Sequence, residues 1–90
     1  MPFFIRIDDA ANTLSVTRPL LEEFEQRGWI TFLEKDGITY LRGHQQYRAK
    51  FILHLRNRLA LSPDQISKVL EHQNAPYSLS AVKQILALPD

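Results

Sequence analysis

The chain has 90 residues, a formal net charge of +1, 44% hydrophobic and 23% charged residues, a composition that fits one small folded domain and excludes a long disordered tail. Its lack of cysteine excludes disulfides and thiolate metal sites. No apolar run approaches the roughly 18 residues of a membrane span, and the first residues lack the pattern of a signal peptide, so we expect a cytoplasmic protein.

A first short helix is predicted between Ile7 and Leu14, where apolar residues recur at helical spacing. Asp8 and Asp9 stand at its start, where we expect them to cap the N-terminus and to complement the helix dipole. Val16 falls in the turn that follows.

A second helix is predicted from Thr17, the expected N-cap, to Gly28, the expected terminator. Pro19 lies in its first turn, where the missing N–H costs nothing. The apolar stripe of this helix consists of Leu20, Leu21 and Phe24. Two short helices joined by a tight turn are the sequence form of a helix-turn-helix.

Two β-prone runs follow, over residues 29–33 and 38–41. Asp36 and Gly37 lie between them and supply the positive φ angles that a tight hairpin turn needs. These runs predict a small β-hairpin in the position of a wing.

The rest of the chain is predicted to be helical. The apolar residues of a long third helix, at 3.6-residue spacing, are Tyr47, Phe51, Ile52, Leu55 and Leu59. We expect its basic residues mostly on the outer face, and these are Arg48, Lys50, Arg56 and Arg58.

Ser62, Pro63 and Gln65 are the cap, first and third residues of a fourth helix, in which Gln65 reaches back to the cap N–H. The buried face of the fourth helix is predicted to be Ile66, Val69 and Leu70. The pattern breaks at residues 74–77. A last short helix follows, capped by Ser78, with Leu79, Val82, Ile85 and Leu86 as its apolar residues.

These elements predict a mainly α fold of the winged helix-turn-helix type, with a small β-hairpin wing and additional C-terminal helices. The whole chain, 1–90, is expected to form one domain. Its parts are a helix-turn-helix at 1–28, the hairpin wing at 29–42 and a helical C-terminal part at 43–90.

Two segments resemble the DNA-binding domain of the MerR family, one over residues 7–30 and one over residues 59–66. The match includes Phe24, Glu25 and Gly28 ahead of the wing. The resemblance implies a MerR-like winged helix-turn-helix. In that family an Arg and an aromatic residue that grip DNA stand where this chain has Glu22 and Glu23. A charge reversal turns an attraction of about 1 kcal/mol per contact into a repulsion of similar size.

A branch of the same superfamily, the CbpM-like chaperone modulators, is similar at Tyr40 in the wing, at His44 and at the run Leu-Arg-Asn-Arg-Leu-Ala-Leu over 55–61. This resemblance implies a non-catalytic protein that binds the J-domain of a DnaJ/CbpA-type co-chaperone and tunes the DnaK system. We expect the partner-binding residues to be Glu22, Glu23, Glu25, Tyr40 and His44. The chain shows no coiled coil, so we expect a monomer or a weak homodimer.

Two alternatives stay open. A MerR-like or excisionase-like transcriptional regulator would bind DNA through Arg18, Arg27, Arg42 and Arg48, and an antitoxin-like accessory or structural subunit would serve one dedicated partner. We expect no enzyme activity and no cofactor, because the sequence holds no phosphate-binding glycine loop and no nucleophile–base motif. The histidines His44, His54 and His72 lack the spacing of a metal site, so no metal is expected.

Overall fold

The computed structural model describes residues 4–72 and 78–87, which are mainly helical and include a small three-stranded antiparallel sheet. The elements in chain order are β1 (Phe4–Arg6), α1 (Ile7–Leu14), α2 (Arg18–Gln26), β2 (Phe32–Lys35), β3 (Ile38–Arg42), α3 (Gly43–Asn57), α4 (Pro63–His72) and, after a 3-10 turn at Leu79–Ala81, α5 (Val82–Leu86). The chain divides into two compact units, the first ending at Lys50 and the second beginning at Phe51. The prediction of one domain over 1–90 stays a prediction.

Helix α1 forms where its apolar spacing predicts it, with Ile7 buried on its inner face. The expected capping by Asp8 and Asp9 is wrong. The N-cap position is Arg6, which makes no side-chain cap hydrogen bond, and both aspartates lie inside the first turn. Strand β1 runs directly into the helix, so no short polar residue precedes it. The aspartates still lie where the positive end of the helix dipole favours a carboxylate.

Helix α2 begins and ends as predicted. The Oγ1 of Thr17 accepts a hydrogen bond from the Leu20 amide at 3.4 Å. At the other end Gly28 has a φ of +78°, and the Trp29 amide donates to the Phe24 carbonyl at 3.0 Å. This left-handed closure satisfies carbonyls that a helix end otherwise leaves without partners.

The predicted hairpin is confirmed as β2 and β3, and both turn residues, Asp36 and Gly37, have positive φ angles of 53° and 77°. Positive φ at both central positions defines the type I′ turn, whose twist matches that of the strands. The first strand begins later than predicted, at Phe32. Strand β1 was not predicted; it pairs with β3 and completes a sheet of order β1-β3-β2.

The core of the first unit lies between α1, α2 and the inner face of the sheet. Phe24, Leu21 and Leu41 are fully buried, and the ring of Trp29 lies 5.6 Å from that of Phe24, centroid to centroid. The inner position of Leu41 on β3 determines that its neighbour Tyr40 faces outward, because successive strand residues alternate between faces.

Two predictions about the apolar residues of α3 are wrong. The helix ends at Asn57, so Leu59 lies beyond it and is 44% exposed, and Tyr47 is 56% exposed on its surface. Ala60 has a φ of +52°, a left-handed conformation that does not continue a helix.

The start of α4 matches the predicted capping box: the Gln65 amide donates to the Ser62 Oγ at 3.3 Å, and the Ser62 amide donates to the Gln65 Oε1 at 2.9 Å. Its predicted inner residues Ile66, Val69 and Leu70 are buried. Helix α4 packs against α5.

The expected cap of the last helix by Ser78 is wrong, because a 3-10 turn intervenes and the N-cap position of α5 is Ala81, without a side-chain cap hydrogen bond. The predicted break at residues 74–77 lies outside the described residues.

Replacing Gly28 with alanine is expected to lower the free energy of unfolding by about 1 kcal/mol, because alanine is strained in the left-handed region. The added Cβ has no atom within 4 Å, so the loss reports the backbone alone. The matched variant is Ala60→Gly, for which we expect a gain of up to about 1 kcal/mol. Urea unfolding measures the stability of both variants. A loss of stability in Ala60→Gly as large as that in Gly28→Ala would contradict the backbone explanation at these two positions.

Candidate functional site

The three glutamates predicted to bind a partner lie on the solvent side of α2. Leu21 and Phe24 are fully buried and hold this helix on the core. Glu22, Glu23 and Glu25 fall between and beyond them and are exposed. The helical spacing therefore presents all three carboxylates to solvent.

Two of the three glutamates form ion pairs with arginines four residues away, at the two ends of α2. The Arg18 Nε lies 3.8 Å from the Glu22 Oε2, and its Nη1 lies 3.3 Å from the Asp8 Oδ2. The Arg27 Nε lies 3.7 Å from the Glu23 Oε2. The side chains in these pairs are 42–70% exposed, so each pair contributes only a few tenths of a kcal/mol and exchanges readily.

Glu25 forms no ion pair with any residue of 4–72 or 78–87. Together with Glu22, Glu23 and the α1 aspartates, it forms what we call the acidic surface: Asp8, Asp9, Glu22, Glu23 and Glu25. Its five carboxylates face two arginines, which leaves three negative charges uncompensated. The acidic surface therefore keeps a negative field after its internal pairs are counted.

Tyr40 and His44, the other two predicted binding residues, lie on different elements from the glutamates. Tyr40 is half-buried in the middle of β3, where its ring meets the Phe4 ring edge-on at 6.5 Å. His44 is an exposed residue in the first turn of α3. Within the described part of the chain, no hydrogen bond or ring contact joins either residue to the α2 glutamates, and the grouping of all five as one binding site stays a prediction.

Three of the four arginines predicted for DNA have other contacts. Arg18 and Arg27 pair with carboxylates, and the Arg27 guanidinium also lies 5.3 Å from the centre of the Trp29 ring. Arg48, expected on an outer face, is instead half-buried, and its Nε donates a hydrogen bond to the Trp29 carbonyl. Arg42 is exposed at the end of β3.

A structural contact that sequence reasoning missed involves Gln45. Its Oε1 accepts a hydrogen bond from the Thr31 amide at 2.8 Å, one helical turn from Arg48. These two polar side chains of α3 hold the backbone of residues 29–31, which follows α2 and belongs to no regular element. Gln45 and Arg48 are three residues apart and therefore lie on the same face of α3, which the sequence does show. The sequence does not show which backbone segment that face contacts.

Over residues 4–72 and 78–87, no cluster of three or more His, Asp or Glu side chains is arranged to hold a metal ion. None of the helices in these ranges combines the length and apolarity that crossing a bilayer requires. Comparison with known protein families, with curated proteins and with solved structures gave no match to this chain.

Arg48→Met is expected to lower the free energy of unfolding by about 1–2 kcal/mol, because it removes the hydrogen bond to the Trp29 carbonyl while keeping most of the side-chain volume. Arg42→Met, at an exposed position, should change it by no more than about 0.5 kcal/mol. Urea unfolding of both variants measures the difference, and equal stabilities would assign Arg48 to the surface.

Proposed function

We propose that this chain is a non-catalytic, cytoplasmic modulator that binds a positively charged helix of another protein through the acidic surface. The partner class is the J-domain of a DnaJ/CbpA-type co-chaperone, and binding would tune the activity of its DnaK-type chaperone. The observation that carries the proposal is the solvent-exposed row of carboxylates on α2, which together with Asp8 and Asp9 of α1 leaves three negative charges after pairing.

The proposal includes a fold. We infer that α1, the turn at Ser15 and α2 form a helix-turn-helix, and that β2 and β3 form its wing. The order of the elements, the left-handed Ser15 with a φ of +58° and the type I′ hairpin turn support this inference. In a module of this type α2 is the element that meets the partner, so its charge decides which partner is attracted.

The weak internal ion pairs make the acidic surface suited to exchange partners. A basic helix that approaches α2 offers Glu22 and Glu23 new cations while Arg18 and Arg27 return to water. Because each internal pair is worth only a few tenths of a kcal/mol, releasing it costs little. Glu25 needs no release. Complementary charge of this kind raises the rate of encounter and excludes partners of the wrong sign.

The J-domain is chosen as partner class from the resemblance to the CbpM-like modulators at Tyr40, His44 and residues 55–61. J-domains characteristically display a basic helix, which complements the acidic surface. Duplex DNA is the weaker candidate, because α2 presents three exposed glutamates and Arg48 is bound to the Trp29 carbonyl. The negatively charged groove of the duplex would also repel the negatively charged helix α2.

The combined variant Glu22→Lys, Glu23→Lys and Glu25→Lys is expected to bind the isolated J-domain more than tenfold more weakly than the unaltered chain, because attraction becomes repulsion at the contact. Isothermal titration calorimetry measures the affinity. Circular dichroism establishes that the variant is folded.

The matched control reverses three exposed acids outside α2, at Glu34, Asp64 and Glu71. It changes net charge by the same amount, so it separates a local contact from a general charge effect. We expect this control to keep its affinity within about threefold. Equal loss in both variants, or no loss in either, would contradict binding through the acidic surface.

A further inference from the structure

The sheet has an outward face whose composition differs from every other surface described above. Tyr40 on β3 lies directly opposite Arg6 on β1 and Leu33 on β2. Directly paired residues share a face, and residues two apart on a strand return to it. The outer sheet face is therefore defined by Phe4, Arg6, Leu33, Lys35, Ile38, Tyr40 and Arg42.

Two aromatic rings lie on this face, that of Phe4 exposed and that of Tyr40 half-buried. Phe4 is 49% exposed, although it is one of the large hydrophobic residues of the chain. Its ring meets the Tyr40 ring at an interplanar angle of 69°, an edge-on contact. Phe4, Leu33, Lys35 and Tyr40 line an open groove of about 330 Å³. This volume is at the lower end of the range for small-ligand pockets, about 300–1,000 Å³.

The charged residues of this face are all positive. Arg6, Lys35 and Arg42 are exposed, and none forms an ion pair with a residue that the structure describes. The one glutamate of the sheet, Glu34, is paired with Thr39 and belongs to the opposite face. Three cations around an aromatic pair that is partly open to solvent, without a carboxylate among the paired strand residues of that face, therefore complement an anion that also carries planar rings.

We propose that the outer sheet face binds single-stranded nucleic acid, with bases stacked on Phe4 and Tyr40 and phosphates contacting the three cations. Stacking requires bases that are free of a duplex, and aromatic residues in a basic groove are how proteins hold single strands without reading their sequence. An acidic peptide would satisfy the cations but gives no reason for the exposed rings. This surface is separate from the acidic surface on α2, so it goes beyond the function proposed above.

The test is fluorescence anisotropy of the full chain with a labelled oligothymidylate about 12 nucleotides long, beside a duplex of the same length. We expect the single strand to bind at low salt more tightly than the duplex. The logarithm of the association constant should fall against the logarithm of salt concentration with a slope of about −2, which is about 0.7 for each of three phosphates.

Tyr40→Leu is expected to weaken single-strand binding about tenfold, because it removes a stacking ring and keeps an apolar side chain. Phe4→Leu should act in the same direction and provides a second reading if one variant fails to fold. The control is Tyr47→Leu, which removes an exposed aromatic ring from α3 and should leave binding unchanged.

Arg42→Gln is expected to reduce the steepness of the salt slope by about 0.7, whereas Lys50→Gln, an exposed cation on α3, should not change it. The proposal is overturned by absence of binding at low salt, by equal binding of single strand and duplex, or by affinity that survives both ring variants. It is also overturned if an oligoglutamate peptide binds as tightly and loses affinity equally in Tyr40→Leu. A dimer that dissociates in the same variant would assign the face to a second copy of the chain.

Discussion

The closure of α2 at Gly28 determines where the residues of the first unit lie. A left-handed residue at this point ends the helix, turns the chain, and buries Trp29 and Ile30 before β2 begins. The segment that follows has no strand or helix of its own, so its backbone groups need other partners. Gln45 and Arg48 of α3 supply two of them. This turn therefore directs the chain from α2 towards the hairpin, and the burial of Leu41 then determines which residues of β3 are exposed.

Local patterns predicted most of the regular structure. Thr17, the type I′ pair Asp36 and Gly37, and the Ser62 capping box depend on residues within a few positions of one another, so the sequence contains the whole interaction. Strand β1 is different, because three residues become a strand only by pairing with β3, more than thirty positions away. Such pairing is not visible in local propensity.

The candidate site shows the same division. Helical spacing was enough to predict that the α2 glutamates are exposed, and the residue type alone gives their negative charge. The pairing of Arg18 with Asp8 joins two helices, and the hydrogen bond from Arg48 to Trp29 joins α3 to the turn after α2. Counting basic residues along α3 therefore overestimated the positive charge that α3 exposes. The basic outer face of the sheet was not predicted, because its cations come from three strands and form no run in the sequence.

Charge on α2 is the feature from which the proposed function follows, and it is tested most directly by mapping where a J-domain meets this chain. Amide chemical shifts of the labelled chain, recorded by NMR during titration with the unlabelled J-domain, report the contact residue by residue. The account predicts the largest shifts along α2 and in the first turn of α1. Shifts confined to other elements, with α2 unchanged at saturation, would contradict it.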